Sequence, residues 1–380
     1  MRLAGIIAEY NPFHLGHKYH IEKTREAGAT HVAVVMSGSF VQRGDVACMG
    51  AHERAKAAIK GGADLVLELP PQFSLAPARD FARAGVDVFR RLGCVNMLSF
   101  GAETADVEKL KSALNAIEAA ELKIKAYMSV GRTYPQAAAE VCGAEVAEVI
   151  SHPNNTLALE YLRALRGTDI EPFAVGRTVP HDSGVTVGSF ASASQIRTLL
   201  KDGRSADGFL GYSPDPRGLS FIGIGEKAVL YRLAMMEKAD FEQVPYSNDL
   251  AGRLYNSTRR ADSLEAVYDT VKTRNFTHAK VRRAVMLAAL GVTKEDTEVL
   301  PFVRILALNK RGMEILRTAR ETAEIDLGGS LKELEKTSPE AERQARLIEQ
   351  ASVLQSMCRA SGAGVSEYRR SAVVIKESSE

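Results

Sequence analysis

The chain has 380 residues, 45% hydrophobic and 25% charged, with a formal net charge of +2, so it reads as an ordinary globular protein of two or three domains. That balance excludes nucleic-acid binding by bulk charge and leaves only a local patch to do it. No apolar run nears the ~20 residues that span a bilayer, no signal segment precedes the first apolar run, and Cys48, Cys94, Cys142 and Cys358 lack paired spacing, which together predict a cytoplasmic, membrane-free protein without a zinc site.

Apolar runs occur at 3–8, 31–36, 63–69 and 95–100, separated by helical patterns at 17–27, 51–60 and 78–91. Continuous apolar strands alternating with helices predict an α/β fold with a parallel sheet covered on both faces. Ligands of such sheets bind beyond the carboxyl ends of the strands, where the strand order reverses. The loops to watch are therefore "EYNPFHLGH", "SGSFVQRGD" and "FGAETAD". Further helical patterns cover 105–119, 134–149 and 153–165, the last with Asn154 or Asn155 able to cap it. A strand is expected at 171–176 and a helix at 191–200. These elements define a first domain, 1–202. A Gly-, Pro- and Ser-rich linker follows at 203–224. From 225 to 380 the pattern is helical and strand signals nearly vanish.

The loop after the first strand carries the densest chemistry. Asn11-Pro12 reads as a helix start, a capping side chain followed by proline. His14 and His17 then share one face by their spacing, and Gly16 between them lets a ligand approach the backbone. With the free N–H groups of a helix start, this makes a phosphate site. Neutral imidazoles would donate to phosphate oxygens; protonated ones would also offset charge on a leaving pyrophosphate. His20 either joins them or only packs. Later, "ASASQIR" puts Ser192 and Ser194 at a helix start and Arg197 one turn in, where its planar fork can reach the same anion. Arg43 in "VQRGD" could bind phosphate or an RNA end, or pair with Asp45.

"HLGH" after strand one together with "SASQIR" resembles the HxGH nucleotidyltransferase superfamily, with Ser192, Ser194, Ile196 and Arg197 in matching places. Six stretches in order, "GIIAEYNPFHLGHKYH", "VMSGSFVQRGD", "GADLVLELP", "FGAE", "PNNTLALEYL" and "ASASQIR", resemble one family within it: the tRNA(Met) cytidine acetate ligases. The likeness is dense over 1–200 and thin beyond. The wording departs at Ala51, Thr156 and Ala158.

The resemblance implies a Rossmann-like nucleotidyltransferase domain followed by a mainly helical, tRNA-binding domain. It implies ATP-dependent activation of acetate as acetyl-adenylate. The acetyl group would then pass to the exocyclic amine of the wobble cytidine of elongator tRNA(Met). It gives catalytic roles to His14, His17, Ser194 and Arg197. It makes a nucleotide site of Ile7, Ala8, Glu9, Tyr10, Asn11, Pro12, Phe13, His14, Leu15, Gly16, His17, Lys18, Tyr19 and His20. Gly101, Asn154 (or Asn155) and Arg177 complete that site. Mg²⁺ would accompany ATP, held by phosphates and water rather than by a protein cage.

A basic stretch at 271–283 supplies Lys272, Arg274, Lys280, Arg282 and Arg283, with Phe276 and His278 interleaved, as candidate RNA contacts. "NKRG" at 309–312 is a weaker candidate. Two rival functions stand beside the ligase. One is a nucleotidyltransferase acting on a small acceptor without RNA, and the other is an idle RNA-binding protein on the same fold.

Overall fold

The computed structural model describes residues 1–177, 190–247, 249–273, 276–362 and 364–376. Strand β1 (Leu3–Ala8) alternates its side chains between two apolar layers. Leu3 and Ile7 join one core, and Ile6 joins the other. Strand β2 (His31–Ser37) follows, then a small hairpin of β3 (Phe40–Val41) and β4 (Asp45–Val46), then β5 (Leu65–Leu69), β6 (Met97–Ala102) and β7 (Glu171–Gly176). The helices α1 (Leu15–Glu26) and α2 (Ala51–Lys60) cover one face through Ile21, Ala55, Ala58 and Ile59. Short α3 (Pro71–Ser74), α4 (Ala78–Leu92) and the helix Pro153–Ala164 cover the other, where Phe81, Phe89 and Leu159 are buried.

β1 pairs in parallel with β2 on one side and β6 on the other. The chain therefore builds outward through β2 to β5, then crosses back to add β6 and β7. The strand order reverses between β1 and β6, so the predicted crevice lies above their carboxyl ends.

The mainly helical stretch expected after 225 also contributes strands that its sequence does not signal. Helices do fill much of Ile222–Ala289. Beyond them, however, β8 (Phe302–Leu308) is buried at every position and pairs antiparallel with β5. Short β9 (Asp326–Gly328) and β10 (Val373–Val374) pair in parallel with β8. Apart from the β3–β4 hairpin, the described strands thus form an eight-stranded, mostly parallel sheet. Arg304 breaks the apolar run of β8, which hides the strand in the sequence. Its charge is met inside the protein by Glu367 at 2.7 Å and Glu68 at 3.5 Å.

Smaller differences follow from local packing. The pattern at 134–149 divides into Tyr134–Cys142 and Ala144–Ile150. A further helix, Glu121–Ser129, precedes them. The expected linker is not a free tether: Leu210 and Leu219 are buried, and the Tyr212 hydroxyl donates to the Phe13 carbonyl at 2.9 Å.

The helix Lys310–Thr322 docks on the sheet through Gly312, where an added Cβ would overlap the Asp64 carbonyl oxygen. Backbone cannot step aside as a side-chain end can. Gly312→Ala should therefore destabilise the protein by ~1–3 kcal/mol, read as a lower urea midpoint at unchanged slope. An unchanged midpoint would show that this contact yields.

Candidate active site

α1 begins at Leu15, just before the helical pattern at 17–27 and beyond the Asn11-Pro12 start signal, and its cap is not Asn11. The Asn11 side chain instead accepts the Cys48 N–H at 2.8 Å. His14 occupies the N-cap position, its Nδ1 accepting the Gly16 N–H at 3.1 Å. His17 reaches back so that its Nδ1 accepts the His14 N–H at 3.3 Å. The two imidazoles thus form a reciprocal capping box. Their rings stack with centroids 3.8 Å apart.

This arrangement fixes their chemistry. An Nδ1 that accepts a backbone N–H carries no proton, so each neutral ring holds its hydrogen on Nε2. Each ring therefore has an Nε2–H to offer the cleft it lines. Burial pushes His14 down to about 3, with Arg177 and Arg197 acting in the same direction. Burial also holds His17 well below the ordinary imidazole value, helped by His14 and Arg177. Of the two charge states left open by the sequence, the neutral donor is the one this environment favours.

His20 belongs to the same cleft. Thr24 spends its hydroxyl proton on the His20 carbonyl at 2.8 Å, so the 2.6 Å contact between Thr24 and Ser99 is donated by Ser99. Ser99 then accepts from His20 Nε2 at 2.9 Å. Burial, then Arg177, pushes His20 down to about 4.

The rest of the predicted stretch divides by orientation. Gly16 and Tyr19 line the cleft with the histidines. Tyr10, at a left-handed φ of 45°, and Phe13 pack beneath the His17 ring, with centroids 4.6 and 5.7 Å away. Ile7, Asn11 and Pro12 are buried, Ala8 is half-buried, and none of the four lines the cleft. Leu15 and Lys18 face a separate groove on the far side of the α1 turn.

Gly101 lies within β6 and lines the cleft beside Arg177. Its φ is not in the left-handed region, so the backbone does not demand glycine there. A Cβ would meet nothing nearer than Arg177 Cγ at 3.8 Å, so protein packing does not demand it either. What a larger side chain would fill is the cleft itself. Gly101→Leu should lower ATP affinity at least tenfold with little change in melting temperature. Calorimetric titration beside a melting curve checks this, and normal affinity in the folded variant would remove the position from the site.

Asn154 and Asn155 have different hydrogen-bond partners. Asn155 is fully buried: its Oδ1 accepts the Thr104 N–H, and its Nδ2 donates to Thr104 Oγ1 and the Val149 carbonyl. Asn154 donates to Glu103 at 2.6 Å and faces Arg177 Nη1 at 3.5 Å. Asn155 is thus occupied with structure, and Asn154 is the one beside the cleft. Neither caps its helix, because Pro153 starts it one residue earlier and His152 holds the cap position.

Ser192 caps the helix Ala193–Lys201, accepting the Gln195 N–H at 3.3 Å, and its Oγ lies 3.0 Å from Ser194 Oγ. Arg197 donates to the Asn11 carbonyl at 2.8 Å. That bond ties the late motif directly to the HxGH turn. Phe190 and Ala191 complete the wall.

The sequence reading missed Arg54. It is fully buried and donates to the carbonyls of Met49 at 3.0 Å, Glu9 at 2.8 Å, Ser37 at 3.0 Å and Gly38. It thereby clamps the ends of β1 and β2 to the start of α2. The available signal was helical phase: Arg54 shares the face of Ala51, Ala55 and Ala58. Glu9, beside it, accepts the Gln42 N–H at 2.8 Å, and burial raises its carboxyl despite Arg43 and Arg197.

The basic stretch is less open than expected. Arg283 donates to the Gln42 carbonyl at 3.4 Å, and Arg282 lies over the Tyr268 ring and 3.9 Å from Glu265. Lys280 sits over Phe276 at 4.8 Å. Lys272 is exposed, and Arg274 lies outside the described residues. The start of the helix His278–Ala289 is therefore a junction with the loop after β2.

Residues 1–365 match the family model described as HIGH Nucleotidyl Transferase. Proteins named tRNA(Met) cytidine acetate ligase are similar over most of the chain. The one from Syntrophotalea carbinolica is 33% identical, covering 88% of this chain and 86% of its own. The one from Caldicellulosiruptor saccharolyticus is 34% identical over 84% and 86%. The crystal structure of Thermotoga maritima TmcAL bound with alpha-thio ATP superposes at a TM-score of 0.87, with 25% identity over 99% of this chain and 100% of that one. With its paired histidines at the β1–α1 turn and this likeness along nearly its whole length, the chain belongs to the HIGH nucleotidyl transferase family, among the tRNA(Met) cytidine acetate ligases.

Proposed function

We propose that the protein uses ATP to activate acetate as acetyl-adenylate and transfers the acetyl group to the exocyclic amine of the wobble cytidine of elongator tRNA(Met). The observation that carries this is the pair of Nε2–H donors at the β1–α1 turn, tied through Asn11 and Arg197 to the serine-capped helix start. An acetate oxygen attacks the α-phosphorus, and the bond to pyrophosphate breaks. Such a displacement needs positioning and charge stabilisation rather than a covalent enzyme intermediate. His14 and His17 donate to the phosphate oxygens as charge moves onto pyrophosphate. Arg197, Arg177 and the Ser192–Ser194 turn share that charge, and Asn154 orients Arg177. In the second half-reaction the cytidine amine attacks the acetyl carbonyl, AMP leaves, and the amine gives up a proton.

Among the described residues the cleft is lined by imidazole, guanidinium and hydroxyl groups and by no carboxylate. Such a set suits the triphosphate. It would leave Mg²⁺ to the phosphate oxygens and water, where the ion would offset phosphate charge. No helix of the described residues is long and apolar enough to cross a membrane.

The test is exchange of labelled pyrophosphate into ATP without tRNA, followed by labelled acetate into tRNA(Met). Acetate-dependent exchange and tRNA labelling are expected. Exchange that requires a different small acceptor would restore the RNA-independent reading, and no exchange at all would overturn the proposal.

A further inference from the structure

On the reverse side of the α1 turn lies a groove of about 450 Å³, larger than the nucleotide cleft. Its floor is apolar: Phe13, Leu15, Met49 and Tyr212. Its rim carries Lys18, Lys56 and Lys60. Lys56 and Lys60 are one helical turn apart on the exposed side of α2. Neither has an acidic partner within ion-pair range among the described residues, whereas many other lysines do, such as Lys111 with Glu108 and Lys125 with Glu121.

Two carboxylates share the rim, and neither reaches Lys56 or Lys60 within ion-pair range: Asp215 holds Arg217 at 3.0 Å, and Glu53 accepts the Gly50 N–H at 3.3 Å. Lys18, the third rim lysine, lies 3.7 Å from Glu22. The groove is therefore a cationic rim over an apolar floor. It is also continuous with the chemistry. Phe13, Leu15 and Lys18 line the groove, and His14, Gly16 and His17 of the same turn line the nucleotide cleft.

We infer that this groove holds a single-stranded stretch of the acceptor RNA, with phosphates on Lys56 and Lys60 and a base on the apolar floor. This rests on the proposed function, which makes an anticodon loop the acceptor. Single strands are bound by just this pairing of a cationic track with apolar or aromatic platforms. The basic stretch at 271–283 is a weaker candidate for the same task, because Arg282 and Arg283 are engaged within the protein. RNA in the groove would run along the outside of α1 and enter the site over its amino end, where the acetyl-adenylate forms.

The experiment is a Lys56→Gln, Lys60→Gln double variant of the full chain. Both side chains are exposed on a helix, so the fold should persist. Binding is read with a fluorescent tRNA(Met) transcript at several KCl concentrations. Affinity should fall about tenfold, and the slope of log K against log salt should shrink by about two. Acetate-dependent pyrophosphate exchange without tRNA should match wild type. A control, Lys111→Gln with Lys125→Gln, removes the same charge from lysines already paired and should leave both affinity and slope near wild type. Unchanged tRNA affinity and slope in the Lys56/Lys60 variant would overturn the inference, as would an equal loss in the control. Absence of exchange in the wild type would instead sink the proposed reaction. The binding measurement needs no turnover, so the two failures are distinguishable.

Discussion

His17→Ala should slow acetyl-adenylate formation by about 100- to 1,000-fold, the usual cost of removing one preorganised donor to developing charge. The fold should survive. The lost bond to the His14 N–H is one helix cap, worth ~0.5–2 kcal/mol, so the melting temperature should drop by only a few degrees. His17→Gln, which keeps an N–H at the end of its side chain, should recover part of the rate. A pyrophosphate-exchange rate for His17→Ala within threefold of wild type would remove the ring from catalysis. The pH profile gives a second check. His14 and His20, held down to about 3 and 4 by burial, stay neutral throughout the working range. The rate per ATP should therefore show no inflection near 6.5. Stability should respond with the opposite emphasis. Below 6.5 the unfolded chain takes up protons that the buried imidazoles refuse, so stability is complete above that pH and declines as pH falls through 6.5 towards 4. A plateau of melting temperature from pH 7 down to 5 would contradict this.

Arg54→Met should be the most damaging substitution at the base of the site. It keeps the apolar bulk but strips the bonds from carbonyls at Glu9, Ser37, Gly38 and Met49. Buried acceptors left without donors cost ~1–3 kcal/mol each. A loss of about 3 kcal/mol or more in urea unfolding is the expected result, allowing for partial relaxation. Burial pulls the Arg54 guanidinium down to about 10, so it remains charged at neutral pH and makes these bonds at full strength. Arg54→Lys should not rescue it, because an ammonium cannot fan out to carbonyls on three separate segments. Exchange activity measured well below the melting temperature should also fall, since the ends of β1 and β2 carry the turn into α1. A destabilisation under ~1 kcal/mol with normal exchange would mean that the clamp is redundant.

These two residues also show what the sequence could and could not disclose. His14, Gly16 and His17 are legible because strand, turn and helix start are consecutive, so local spacing places them together. Even there the roles shift: Asn11 looks like the cap, yet it bonds Cys48, and His14 does the capping. Arg54 is silent because its partners are carbonyls, which every residue has, brought in from positions 9, 37, 38 and 49. Asn154 and Asn155 are indistinguishable by type. What separates them is Thr104, fifty residues earlier, which occupies one and leaves the other beside Arg177. β8 escapes notice for the same reason. An arginine in an apolar run argues against a buried strand until Glu68 and Glu367 are known to meet it. Features built within ten residues were readable; those closed by a distant partner were not.

The position of β8 has a consequence for how the protein is made. Ribosomal synthesis is vectorial, and β5 emerges more than two hundred residues before the strand that covers its outer edge. During that interval β5 would present unpaired N–H and C=O groups along Leu65–Leu69, a row that is buried in the finished molecule and apolar except for Glu68. Open apolar edges of this kind recruit strands from other nascent chains. Residues 1–202 therefore cannot be cut free without exposing such an edge, although the motifs recognised in the sequence lie before that point. A terminal fragment intended as a minimal enzyme would need Phe302–Leu308 supplied in trans, much as a pilus subunit waits for the strand of its neighbour.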